Sequence, residues 1–273
     1  MRTHWTEYAA DGSCLGLFMV SAAGFASLLQ HPASPVAAWL SSQALSPTLQ
    51  RLPMGLAMGL TAIAIIYSPL GRRSGAHMNP AVTLTFAILR KVTWRDAAGY
   101  MVGQFVGAAV GLFAAVWLFR SAPGDPSVNY VATAPGPAGV WVAFFAELVI
   151  AFLMMTTVLT LSSTTRTAPY TGLAAGLLVS IFITVEAPFS GMSMNPARTL
   201  ASNVPASLVS TLWIYFTAPV AGMLAAGGRF AWQKGRVPCA KLDHVDSVRC
   251  IFCGHDPAVA STQSCLVTPR YDE

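Results

Sequence analysis

Two eleven-residue stretches hold the side chains best placed to do chemistry: "SGAHMNPAVTL" at 74–84 and "SGMSMNPARTL" at 190–200, alike at eight of eleven positions. What they offer is hydrogen-bond donation rather than bond breaking. Asn79 and Asn195 carry amide donors, and each precedes a proline, Pro80 or Pro196, followed by Ala81 or Ala197. Arg198 adds a planar fork of N–H groups to the second copy, where the first has Val82. His77, two residues before Asn79, is a candidate pH gate because a histidine titrates near neutrality. Two carboxylates stand in apolar company, Asp11 ahead of "LGLFMV" and Glu147 in "AELVIAFLMM". No Ser/His/Asp set, carboxylate pair or phosphate loop accompanies them, so the sequence does not read as an enzyme.

A second cluster lies near the C-terminus. Cys239, His244, Cys250, Cys253 and His255 give C-x4-H-x5-C-x2-C-x-H, the soft ligand types that zinc takes in tetrahedral sites. The spacing matches no standard finger. A tail with thiols and no metal is the competing reading, and a membrane-anchored metal or redox protein acting through that tail is the rival function.

The elements that must position these residues follow from composition. Of 273 residues, 54% are hydrophobic and 10% charged, against about 25% charged in an ordinary soluble domain. Six apolar segments, at about 11–29, 52–67, 96–119, 140–161, 170–187 and 207–231, are long enough to cross a bilayer. Asp11 stands close before the first, and no small-residue cleavage site follows, so it reads as a retained helix. Eleven basic residues, Arg2, Arg72, Arg73, Arg90, Lys91, Arg95, Arg166, Arg229, Lys234, Arg236 and Lys241, fall on the face shared by the termini. Only Arg51 and Arg120 flank the other. Both termini are therefore expected in the cytoplasm, and the net charge of +5 needs no nucleic acid. Four of the five cysteines, including Cys265, then fall in a reducing compartment where disulfides are rare.

Each copy of the repeat follows the second span of a three-span half. Three is odd, so the halves, about 8–120 and 140–232, run in opposite senses and the copies enter from opposite faces. The runs after the prolines, "AVTLTFAIL" and "ARTLA", are too short to span and too apolar for a solvated loop. Proline suits a first helical turn and asparagine the cap before it. The expected structure is all-α: six transmembrane helices plus two re-entrant half-helices. Irregular backbone at membrane depth is tolerated only inside protein or beside a water-filled cavity, so the two turns imply a lumen.

Asn79-Pro80-Ala81 and Asn195-Pro196-Ala197-Arg198 within six apolar spans resemble the aquaporin or major intrinsic protein family over roughly residues 8–232. The small-residue runs "GQFVGAAVG" at 103–111 and "APVAGMLAAG" at 218–227 are similar to its third and sixth helices. The resemblance implies a right-handed inverted-repeat bundle, a homotetramer in a bacterial inner membrane, and a passive channel for water and small neutral solutes that needs no cofactor. It implies that both asparagines donate to a passing oxygen. It places Met58, Ile183, Met192 and Arg198 at the narrowest constriction, where strict water channels have an aromatic, a histidine and a small residue beside the arginine. Thr199 and the Tyr215-Phe216 pair resemble water channels more than glycerol facilitators, leaving glycerol, peroxide, ammonia or a metalloid acid as alternative solutes. Glu147, and Asp11 with its shorter reach, would accept bonds from the re-entrant loops. Residues 233–273 fall outside the resemblance, as a cytosolic tail with candidate zinc ligands.

Overall fold

The computed structural model describes residues 3–257, so Arg2 and Cys265 lie outside the described residues. The chain there forms α1 (Trp5–Gln30), α2 (Pro35–Ser42), α3 (Pro47–Tyr67), α4 (Pro69–Ser74), α5 (Pro80–Ile88), α6 (Trp94–Phe119), α7 (Val140–Ser162), α8 (Thr171–Val185), α9 (Ala187–Ser190), α10 (Pro196–Asn203) and α11 (Leu212–Trp232). No strand occurs among the described residues. Local chemistry sets many of the starts. Ser34, Ser46 and Ser68 each accept a backbone N–H three residues on and are each followed by proline, and Thr93 caps α6 in the same way.

Five of these segments are long and apolar enough to cross a membrane. The sixth, α11, has 21 residues, about 30 Å at 1.5 Å each, its hydropathy diluted chiefly by Arg229 in its last turn. The helices carry apolar stripes on their outer faces. Val102, Val106, Val110, Phe113 and Trp117 are exposed along one side of α6, as are Val142, Phe145, Val149 and Leu153 along α7. Helical spacing that in water would face a core here faces outward, as lipid requires. Exposed tryptophans sit near the ends of the long helices, Trp5, Trp94 and Trp232 on the face of the termini and Trp141 and Trp213 on the other.

The two halves repeat one another in packing. α1 lies against α6 as α7 lies against α11, and α3 pairs with α8 across the junction. Glycine sets the α1–α6 distance: a Cβ on Gly107 would stand 2.0 Å from the Gly12 carbonyl oxygen, so the backbones touch directly. The half-helices cross over, α5 leaning on α11 and α10 on α6. Each half therefore supports the other's re-entrant element.

The helix boundaries correct several expectations. α1 begins six residues earlier than its apolar run, which puts Asp11 inside the helix instead of before it. The carboxylate is tolerated there because it is fully bonded, as described below. α3 begins at Pro47, capped by Ser46, and α11 begins only at Leu212. α2 was not expected. The tail is no appendage either: Val237, Ala240 and Leu242 are buried in the same core as Met58, Met192 and Met223.

Candidate functional site

The two repeat stretches form matching turns. Gly75, Ala76 and Met78 have φ of 97°, 56° and 48°, and their counterparts Gly191, Met192 and Met194 have 79°, 51° and 55°. Left-handed backbone is disfavoured for residues with a Cβ by about 1–3 kcal/mol each, so something must hold these turns. A buried carboxylate does so in each half. Asp11 accepts Ser74 Oγ at 2.9 Å, the Met78 N–H at 2.9 Å and Gln104 Nε2 at 2.7 Å. Glu147 accepts Ser190 Oγ and the Ser193 N–H, both at 2.7 Å, on one oxygen and the Met194 N–H at 2.7 Å on the other. Both carboxylates are fully buried. The shorter reach of Asp11 does not prevent the contact, because the α1 backbone itself comes close to the turn. Tyr100 and Tyr215 close the turns by donating to the Ser74 and Ser190 carbonyls at 2.6 and 2.5 Å.

The turns deliver Asn79 and Asn195 to the N-termini of α5 and α10, as cap residues. Asn79 Oδ1 accepts the Ala81 N–H at 2.9 Å, and Asn195 Oδ1 accepts those of Ala197 and Arg198 at 3.0 and 3.3 Å. Each amide then donates across to the other turn: Asn79 Nδ2 to the Met194 carbonyl at 2.6 Å, Asn195 Nδ2 to the Met78 carbonyl at 2.7 Å. Pro80 and Pro196 open the half-helices, where their missing N–H groups are harmless. Two positive helix ends thus meet, and each amide keeps a second N–H.

A cavity of about 450 Å³ runs past this meeting point. Asn79, Asn195 and all four expected constriction residues, Met58, Ile183, Met192 and Arg198, line it, as does Val82, the counterpart of Arg198. The guanidinium carries its charge in a place where Nη1 is buried without a protein acceptor among the described residues. Beyond it, Ser127, Val128 and Val131 border the end remote from the termini. That loop is pinned to α10 by Asn203, which accepts the Thr133 N–H at 2.9 Å and donates to the Thr133 carbonyl at 2.7 Å. Thr199, beside Arg198, is buried and bonded to Thr133 Oγ1 at 3.0 Å and to Ser193 Oγ.

At the other end the cavity is bordered by Ala76, His77, Met78 and, from the tail, Leu242. His77 is a fixed part of this end. Nε2 donates to the Ala240 carbonyl at 2.7 Å, Nδ1 faces Thr83 Oγ1 at 3.0 Å, and the ring stacks between Phe86 and Phe252. The tail also brings its ligand types together: one atom from each of Cys239, His244, Cys250 and Cys253 lies within 4.8 Å of the others. His255 does not join them, because its Nε2 donates to the Asp246 carbonyl at 2.8 Å. The Cys239 thiol is pushed up by its hydrogen bond to Cys250 and by burial. That same bond, with N–H groups of Cys253 and Phe252, pulls the Cys250 thiol well below the usual range.

Sequence reasoning missed the residues that hold the turns: Ser74, Ser190, Tyr100, Gln104 and the Thr133–Asn203 clasp. The serines were readable, since they head both copies of the repeat. The others lie far away in the chain and carry no local signal.

Comparison with known proteins gives the family and the fold. The family model described as "Major intrinsic protein" matches residues 5–230. Aquaporin NIP2-2 of Zea mays is 36% identical over 195 residues, 71% of this chain and 64% of the relative. The glycerol uptake facilitator protein-like 6 of Lactiplantibacillus plantarum is 37% identical over 178 residues, 64% of this chain and 82% of the relative. The chain spans 64% of NIP2-2 and 57% of Aquaporin NIP2-3 of Zea mays, less than two thirds of those plant relatives. The aquaglyceroporin from Plasmodium falciparum superposes with a TM-score of 0.63 at 18% identity, covering 84% of this chain and 96% of that one, which shows a shared fold.

Proposed function

The chain belongs to the major intrinsic protein family, and from that premise we propose that it is a passive channel for water and small neutral solutes. The observation that carries this reading is the crossed pair of asparagines beside a cavity lined by residues from both ends of the bundle. A solute oxygen arriving there meets the free amide N–H groups and the positive ends of α5 and α10, and leaves without forming a trap because the surrounding walls are apolar. A cation meets the same positive ends without the oxygen ligands that could replace its water. Arg198, with Nη1 lacking a protein acceptor among the described residues, supplies the strong donor at the constriction. Around it Met58, Ile183 and Met192 add no hydrogen bond to hold a solute.

Water is the first solute in this reading, and glycerol follows from the likeness to the glycerol uptake facilitator protein-like 6 of Lactiplantibacillus plantarum. The distribution of basic residues supports cytoplasmic termini, the apolar outer stripes support a multi-pass protein of the plasma membrane, and the family supports a homotetramer. Stopped-flow shrinkage of proteoliposomes, with parallel uptake of glycerol, peroxide and ammonia, tests it. Water permeability well above that of empty liposomes with no proton leak is expected. No excess permeability for any solute overturns the reading.

A further inference from the structure

The segment from Val237 to Asp256 has no regular helix or strand, yet Val237, Cys239, Ala240, Leu242 and Cys250 are buried. An irregular chain of some twenty residues has no ladder to hold itself in one conformation and needs a staple. The Cys/His cluster has the chemistry of one. Cys239 Sγ and Cys250 Sγ lie 3.3 Å apart, as do His244 Nε2 and Cys253 Sγ. A tetrahedral zinc ion with bonds of about 2.3 Å to sulfur and 2.0 Å to nitrogen spaces its ligands at about 3.5–3.8 Å, so four atoms within 4.8 Å close on it with small side-chain shifts. Cys250-Ile251-Phe252-Cys253-Gly254 supports such a site. The Gly254 N–H returns to the Cys250 carbonyl at 3.1 Å with Gly254 at φ 77°, curling both thiols to one side.

What these four residues bracket is the contact with the re-entrant turn. Between Cys239 and His244 every residue grips the turn or Arg72 of α4 just before it. The Ala240 carbonyl accepts His77 Nε2 at 2.7 Å, Lys241 Nζ donates to the Arg72 carbonyl at 2.6 Å, the Leu242 N–H donates to the Gly75 carbonyl at 3.1 Å, and Asp243 pairs with Arg72 Nε at 2.7 Å. Between Cys250 and Cys253, Phe252 stacks on the His77 ring at 5.5 Å. Leu242 thereby comes to line the pore beside Met78.

We propose that Cys239, His244, Cys250 and Cys253 bind one zinc ion that locks the tail against the first re-entrant turn, with Leu242 as a plug in the pore mouth. With the Cys239 proton released to solvent as the metal binds, three thiolates and an imidazole make a closed site with no position left for substrate, so the metal is structural. Losing it frees the segment and opens the mouth. The metal site stands on the tail alone, whereas the plug rests on the channel reading.

Full-length protein in proteoliposomes separates the two. Zinc content and the cobalt-substituted absorption spectrum read the site, and water permeability reads the plug. One zinc per chain is expected, lost with Cys250→Ser or Cys253→Ser. Stripping by a chelator, either serine variant, or Leu242→Ala is expected to raise permeability several-fold, with zinc re-addition reversing only the first. A chain that takes up no zinc, or whose Cys239 and Cys250 emerge as a disulfide with no metal, overturns the site. Bound zinc with equal permeability before and after stripping overturns the plug. Should stripped protein and Leu242→Ala both match empty liposomes, the channel reading falls and the plug with it, while the cobalt spectrum still decides the metal.

Discussion

Asp11 and Glu147 hold equivalent turns with unequal sets of donors. Asp11 takes a hydroxyl on Oδ1 and the Met78 N–H and Gln104 amide on Oδ2, whereas each oxygen of Glu147 takes a backbone N–H. The difference can be read out by neutral amides of the same shape. In Asp11→Asn the new NH₂ group can stand at the Oδ1 position and donate to Ser74 Oγ, since a hydroxyl also accepts. In Glu147→Gln either orientation puts NH₂ against an N–H, leaving a buried donor unpaired at about 1–3 kcal/mol. Glu147→Gln should therefore lower the unfolding midpoint of the purified protein clearly more than Asp11→Asn. The opposite order would mean the bonds do not carry the turns.

The proposed constriction predicts a selectivity change. Met58 and Met192 line the same cavity as Arg198 with flexible, apolar side chains. Shortening Met192 to alanine should raise glycerol uptake relative to water on the order of tenfold, because a few methylenes of pocket decide such ratios. Met58→Phe should do the reverse. If neither ratio moves in stopped-flow assays, the narrowest point lies elsewhere.

How much of this was readable before the structure divides along physical lines. Membrane helices announce themselves because lipid demands long apolar runs, and the half-helices because Asn-Pro caps and opens a helix wherever it occurs. Arg198 was legible because an arginine at membrane depth has few other uses. The place of Asp11 relative to α1, though not its role at the turn, was misjudged because helix length was read from hydropathy, and a carboxylate bonded to a turn 67 residues away breaks that pattern without breaking the helix. The docking of residues 237–243 on the turn was illegible for a different reason. An irregular segment has no periodicity, and its hold depends on scattered contacts to His77, Gly75 and Arg72.

Close helix contact gives a stability prediction. A methyl group on Gly107 would meet the Gly12 carbonyl oxygen, which is backbone and cannot swing aside. Gly107→Ala should push α1 from α6 and lower stability by about 1–3 kcal/mol or more, the usual range for overpacking. Gly228→Ala, where a Cβ meets nothing within 4 Å, is the matched control inside α11 and should leave the unfolding midpoint unchanged or slightly raised, because alanine favours a helix over glycine.

The crossed asparagines set the last expectation. Asn195→Asp keeps the cap, since a carboxylate oxygen still accepts the Ala197 and Arg198 N–H groups. It loses the Nδ2 donor, however, and turns an acceptor toward the Met78 carbonyl 2.7 Å away. The carboxylate also places negative charge where the positive ends of α5 and α10 meet, which is where a cation is otherwise repelled. Two changes should follow together: a loss of stability of about 1–3 kcal/mol from the broken bond, and a cation leak absent from the parent protein. Asn79→Asp should behave alike, because it breaks the mirror bond to Met194. Potassium and proton flux in proteoliposomes measures the second effect. If both variants still conduct water and stay tight to ions, exclusion is set at Arg198 and the helix ends contribute little to it.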